Sequence, residues 1–82
     1  MSFGDHIGCI VISKTGHDKG SYYVITKIVD DKFVQVSNGE NRPLAKQKRK
    51  NIRHLSITNH RTAATSDIEI KKAIKKLVKE NE

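Results

Sequence analysis

The stretch that decides the fold is "ISKTGHDKGSYYVITKIVDDKFVQV", Ile12 to Val36. It sets Gly16 and Gly20 around His17, Asp18 and Lys19, directly ahead of a run rich in Tyr, Val, Ile and Thr. Two glycines this close mark a backbone that bends sharply or lies against something. The run that follows, Ser21 to Val29, has the residues that fit a pleated surface. "DDK" (Asp30 to Lys32) is a tight polar connection, and "FVQVS" (Phe33 to Ser37) alternates, with Val34 and Val36 on one face. Upstream, "GCIVIS" (Gly8 to Ser13) is apolar, β-branched and too short for a helix.

Further strands are expected beyond this stretch. Asn38-Gly39 is a strong signal for a two-residue type I′ turn, which needs both central residues at φ > 0. "NRPLAK" (Asn41 to Lys46) is then the return strand, at an edge because Pro43 cannot donate to a ladder. "HLSI" (His54 to Ile57) is the fifth strand, with Leu55 and Ile57 on one side. Short strands separated by turn signals point to a mostly β, compact five-stranded barrel, which also removes edges that so small a sheet could not protect.

Residues 59–65 are polar and read as a linker. "SDIE" at Ser66 to Glu69 is a capping box, in which Ser66 accepts from the Glu69 amide and the Glu69 carboxylate reaches back to the Ser66 amide. At about 100° per residue, Ile70, Ala73, Ile74, Leu77 and Val78 share one arc of the helix that follows, and Lys71, Lys72, Lys75, Lys76 and Lys79 fill the opposite one. The expected organisation is a barrel over residues 1–58, a linker over 59–65 and a lysine-rich helix over 66–82.

The chain has 82 residues, 35% of them hydrophobic and 30% charged, which allows one small domain. Cys9 is the only cysteine, so no intrachain disulfide forms; that, with no charged-then-apolar leader, fits a cytoplasmic protein. No apolar run approaches the ~20 residues of a membrane span. The net charge of +7 is concentrated. Asn41 to Ser66 holds Arg42, Lys46, Lys48, Arg49, Lys50, Arg53 and Arg61 with no acid, and so carries the full excess. A basic block of this kind attracts polyanions, nucleic acid above all.

"GHDKGS" is not a phosphate-cradling P-loop, which needs four residues between its glycines, a Lys after the second and a following helix. Here three residues separate the glycines, Lys19 precedes Gly20 and a strand follows. Cys9 lies inside an apolar strand, where a lone cysteine is usually a small buried hydrophobe and not the nucleophile of a Cys–His pair. His6, His17, His54 and His60 lack the paired spacing of a zinc site. No catalytic residue, metal or cofactor is expected. Two readings of the loop stay open: its glycines only satisfy turn geometry, or they let amides and Lys14, His17 and Lys19 face phosphate oxygens.

The whole span from Gly8 to Ile57 resembles a KOW-motif domain. An apolar strand ends before Lys14, a loop holds Gly16 and Gly20, Val24 and Ile28 space the second strand, and a "DDKFVQV" hairpin and "KRKNIRHL" follow. It is similar to large-subunit ribosomal proteins of the eukaryotic and archaeal fourteen-e and twenty-seven-e groups and to their small bacterial KOW relatives. The resemblance implies an SH3-like barrel that binds RNA, typically ribosomal RNA, without catalysis, with ribosomal proteins as further partners. It places RNA on the Lys14 to Gly20 loop, through Lys14, His17 and Lys19 with Gly16 and Gly20 shaping the loop, and on the segment Arg42 to Arg53. Within that segment, Arg42, Arg49 and Arg53 suit bidentate phosphate contacts, while Lys46, Lys48 and Lys50 act as point charges. Successive side chains of "KQKRK" cannot share one strand face, so an irregular loop is expected there. Many KOW motifs carry a further glycine where this chain has "SYY", which leaves Tyr22 and Tyr23 open as packing or base-stacking residues.

With four aromatic rings, the chain is better equipped for shape and phosphate recognition of structured RNA than for reading single strands. A rival reading is an SH3-like or transcription-associated KOW module that binds protein, but methyl-lysine and peptide sites of that kind need an aromatic cluster. Another rests the lysine-faced helix on an anionic membrane. Its apolar stripe has no aromatic anchor, and docking on the barrel is the stronger expectation.

Overall fold

The computed structural model describes residues 6–80. Phe3, the first five residues of the expected barrel and the last two of the expected helix lie outside the described residues. The elements are β1 (Cys9–Ser13), β2 (Tyr22–Ile28), β3 (Phe33–Ser37), β4 (Lys48–Asn51), β5 (Leu55–Arg61) and α1 (Asp67–Glu80). The strands form one antiparallel sheet in the order β4-β3-β2-β1-β5. This is the expected small SH3-like, KOW-type barrel with a C-terminal helix. β4 and β5 stand at the two ends of the hydrogen-bonded order, so the barrel is not closed through the backbone.

Side-chain alternation along each strand sorts the core into two layers. Val11, Tyr23, Ile25, Val34, Val36 and Leu55 fill the barrel interior. Ile10 and Val24, one residue out of step on β1 and β2, point outward and meet Ile70 and Leu77 of α1. "CIVI" therefore reads as continuously apolar because both faces of β1 are covered. Ile70 is fully buried and Leu77 nearly so; burying a side chain of this size contributes about 1.5–3 kcal/mol. The helix is docked, and its apolar arc is the one the sequence indicates.

Four local expectations are corrected. Asn38-Gly39 is not a type I′ turn, because no described non-glycine residue has positive φ and so, of the pair, Gly39 alone does, at 74°. Instead the Asn38 side chain accepts the amides of Glu40 and Arg42, at 2.9 and 3.0 Å, and organises a longer loop. Gly39 has a second duty: a Cβ there would overlap the Asp67 carbonyl at the start of α1.

Residues 41–46 are not the return strand. Leu44–Lys46 is a 3-10 turn after Pro43, and the Leu44 amide donates to the Asp67 carboxylate at 2.7 Å, tying this loop to α1. The strand that pairs with β3 comes next and is the basic segment itself, Lys48–Asn51, where an irregular loop was expected. Its side chains do alternate, and the interior positions are held by lysines with a carboxylate to meet them.

The expected linker begins later than residue 59. β5 continues to Arg61, because Cys9 pairs with Arg61 while Val11 pairs with Ile57. The extra residues form a bulge, pinned by the Thr58 hydroxyl donating to the Ile10 carbonyl at 2.7 Å. Asn59, His60 and Arg61 are exposed, so this part of the strand has no apolar signature.

The capping box of α1 forms in a variant way. Ser66 Oγ accepts the Glu69 amide at 3.3 Å, and the Glu69 carboxylate takes the Ser66 hydroxyl, not its amide, at 3.2 Å.

Candidate nucleic-acid interface

The loop between β1 and β2 is shaped by its two glycines, with φ of 82° at Gly16 and 89° at Gly20. A Cβ at Gly20 would meet nothing within 4 Å, so the backbone conformation and not crowding demands glycine there. The loop closes through the Gly20 amide on the Ser13 carbonyl at 2.8 Å and the Ser21 amide on the Asp18 carbonyl at 2.9 Å. The Lys14 amide donates to the His54 carbonyl and the Lys19 amide to that of Gly16. These four amides are thus held inside the protein. What the loop offers outward is its exposed side chains, Lys14, His17 and Lys19.

Asp18 turns the other way. Its carboxylate, 15% exposed, receives the Ser13 hydroxyl at 3.0 Å and the Tyr23 hydroxyl at 2.8 Å. It also receives the ammonium groups of Lys48 at 3.0 Å and Lys50 at 3.1 Å. Lys48 and Lys50 stand opposite Val36 and Val34 in the β3–β4 register, on the interior side of the sheet. Their stems lie along the core wall and their charges end at Asp18. A carboxylate from the first loop therefore fastens the edge strand β4, where the backbone does not close the barrel.

The electrostatics follow from this geometry. Burial works to raise the pKa of Asp18. The hydrogen bonds from Lys48, Tyr23, Lys50 and Ser13 together outweigh it and hold the carboxyl far below the usual carboxylate range. Burial, then the hydrogen bond to Asp18 and its negative charge, push Tyr23 up to about 12. Asp30, in the β2–β3 turn, is lowered because its carboxylate accepts the Lys32 and Phe33 amides, each at 2.8 Å.

The structure brings some of the sequence-selected residues together and separates others. The Asp18 contacts set the loop against β4, and the Lys14–His54 bond sets it beside the turn that carries Arg53. Lys14, His17, Lys19 and Arg53 are all exposed on this connected surface. Arg42, exposed at the end of the β3 loop, lies near enough for its charge to act on the Tyr23 hydroxyl. Lys48 is half-buried and Lys50 only 8% exposed, both committed to Asp18. Arg49 points to the opposite side of β4, its guanidinium 4.8 Å from the Phe33 ring centroid. Lys46 is exposed on the 3-10 turn tied to α1.

Three participants are not among the RNA-binding residues expected from the sequence: Asp18, His54, and Tyr23, which stands open there between packing and base stacking. Asp18 had a signal, since it is the one acid in a cationic loop. So did Tyr23, which shares its strand parity with the interior residue Ile25, whereas Tyr22 shares that of Val24. Among the described residues, no three His, Cys, Asp or Glu side chains group as they would around a metal ion, and Cys9 is buried. No described helix is long and apolar enough to cross a membrane.

No family model matches the chain. Among curated proteins, the large ribosomal subunit protein eL14 of Saccharolobus solfataricus is 35% identical over 71 residues, covering 83% of this chain and 74% of that protein. The eL14 of Hyperthermus butylicus is 30% identical over 71 residues, covering 83% and 72%. The chain belongs to the eL14 family. The stretch shared with eL14 is longer than the Gly8 to Ile57 span that carries the KOW resemblance. The likeness to eL14 is therefore not confined to the motif, and the fourteen-e part of the expectation holds.

Proposed function

We propose that the chain is a non-catalytic protein of the large ribosomal subunit that binds structured ribosomal RNA. Membership of the eL14 family supports the ribosomal assignment and, with it, a cytoplasmic location beside ribosomal proteins. The observation that carries the RNA reading is the way Asp18 organises the cations. It draws Lys48 and Lys50 inward and fixes the loop, while Lys14, His17, Lys19 and Arg53 remain exposed on one surface with Arg42 at its margin.

On this reading Lys14, Lys19, Arg42 and Arg53 meet phosphates, with Arg42 and Arg53 able to use the guanidinium fork. Lys48 and Lys50 shape the interface from behind. Gly16 and Gly20 give the loop its bend. Arg49 and Lys46 are exposed to a backbone that runs past the central surface. Recognition is by shape and phosphate contact, which suits folded RNA.

The test is sedimentation of the tagged protein from its native lysate through sucrose gradients at low and high salt, with and without RNase. Co-migration with the large subunit through moderate salt is expected. Protein that stays at the top of every gradient refutes the ribosomal assignment. With isolated RNA, about five phosphate contacts give a log–log salt slope of roughly −4. Single-stranded RNA bound more tightly than folded RNA at equal salt counts against shape recognition.

A further inference from the structure

Tyr22 and Tyr23 are neighbours with opposite fates. Tyr23 is 3% exposed and bonded to Asp18. Tyr22 is half-buried at the edge of the outer core layer, and its hydroxyl has no hydrogen-bond partner among the described residues. It lines a groove of about 290 Å³ between the end of the first loop and α1. That volume is close to the lower end of small-molecule sites, roughly 300 Å³.

The walls of the groove are apolar where Tyr22 meets Ile74 and Val78 of the helix. Its rim is polar, with Ser21 on the strand side and the exposed Lys75 on the helix side. Lys71 is also at the rim, but Glu40 neutralises it at 3.3 Å, so Lys75 supplies the uncompensated charge. Ser21 directly follows Gly20 and donates its amide to Asp18, so the groove opens at the foot of the proposed phosphate-binding loop. A flat aromatic edge, aliphatic walls, hydroxyls and one cation, continuous with a cationic surface, together match a nucleotide: a stacking base with its phosphate alongside.

We propose that this groove takes one unpaired nucleotide of the bound RNA, with its base against Tyr22 and its phosphate beside Lys75. The inference rests on the RNA reading above and adds to it a site that recognises a base. A KOW-type surface that otherwise reads backbone shape thereby gains a check on one extruded residue.

The test uses the full chain with deproteinised large-subunit ribosomal RNA from the same cells. Irradiation at short ultraviolet wavelength couples side chains to the bases they touch, and mass spectrometry locates the adduct. A nucleotide on Tyr22 or on the facing helix residues is expected. Tyr22→Leu should weaken binding about tenfold with the salt slope unchanged, because stacking releases no counterions. Lys75→Ala should flatten that slope by about one. Tyr22→Phe, which keeps the ring packed, should keep both affinity and adduct and so guards against a folding defect. RNA bound at full affinity by Tyr22→Leu, or adducts confined to the loop, overturns the groove proposal and leaves the RNA reading standing. Absence of any salt-sensitive RNA binding by the unaltered protein overturns both.

Discussion

Substituting Asp18 by alanine tests whether one carboxylate holds β4 in place. The change removes the acceptor for Ser13, Tyr23, Lys48 and Lys50 at once. Lys50, 8% exposed, is left as a nearly buried charge without its partner, a situation that costs about 3–5 kcal/mol. Lys48, with 31% of its side chain exposed, recovers much of its share from water, and its loss is discounted to under about 1 kcal/mol. Residual exposure of Asp18 itself places the sum near the low end, at roughly 3 kcal/mol. A domain of this size has about 4–12 kcal/mol of stability in all. At about 4–8 °C per kcal/mol, the melting temperature should fall by roughly 12–24 °C. Thermal unfolding followed by circular dichroism reads this directly. If the damage is the orphaned ammonium, Asp18→Ala combined with Lys50→Met should recover at least about 1 kcal/mol, because the stranded charge is gone. A drop of only a few degrees in the single variant, or no recovery in the double, refutes the assignment of Asp18 as the fastening group.

The same network sets the pH limits of the fold. Asp18 has a lowered folded pKa, so its contribution is present above the ordinary 3.8 and is lost as pH falls below that value; between about pH 4 and 2 the parent should lose stability more steeply than Asp18→Ala, which has no such contribution to lose. Tyr23 has a raised folded pKa, so stability holds below pH 10 and falls from 10 to about 12, a loss that Tyr23→Phe should abolish in alkaline titrations. Gly20→Ala meets only open space and should cost about 1–2 kcal/mol for its backbone conformation, whereas Gly39→Ala must also displace the first turn of α1; amide exchange should rise across α1 in the second variant alone. Ile70→Ala should cost about 2–5 kcal/mol and expose the outer faces of Ile10 and Val24 to solvent, seen as an earlier transition in urea.

The elements that could be read from sequence are those whose local chemistry and tertiary role agree. β1, β2 and β3 announce themselves because β-branched residues occupy positions that face the core or the helix. α1 does so because its apolar arc matches the face that docks. β4 could not be read that way, since its interior positions are lysines, and what makes them tolerable is Asp18, some thirty positions earlier in the chain. Asn38-Gly39 misleads for a related reason: Gly39 answers to the approach of α1, a demand that no local turn rule contains. The site divides along the same line. Lys14, His17 and Lys19 are exposed as their loop position suggests, while Lys48 and Lys50 carry the same charge in the sequence and are consumed within the fold.

The double coverage of β1 has a consequence for how the chain matures. One edge of this strand waits for β5, more than forty positions downstream, and its outer face for Ile70 and Leu77. As the polypeptide is synthesised, β2 can pair with β1 and β3 with β2 early, but Ile10 and Val24 stay uncovered until the segment through Leu77 has emerged. Folding of this sheet is therefore completed only when α1 is available, and a nascent chain stalled short of α1 should be a substrate for chaperones that bind apolar strands.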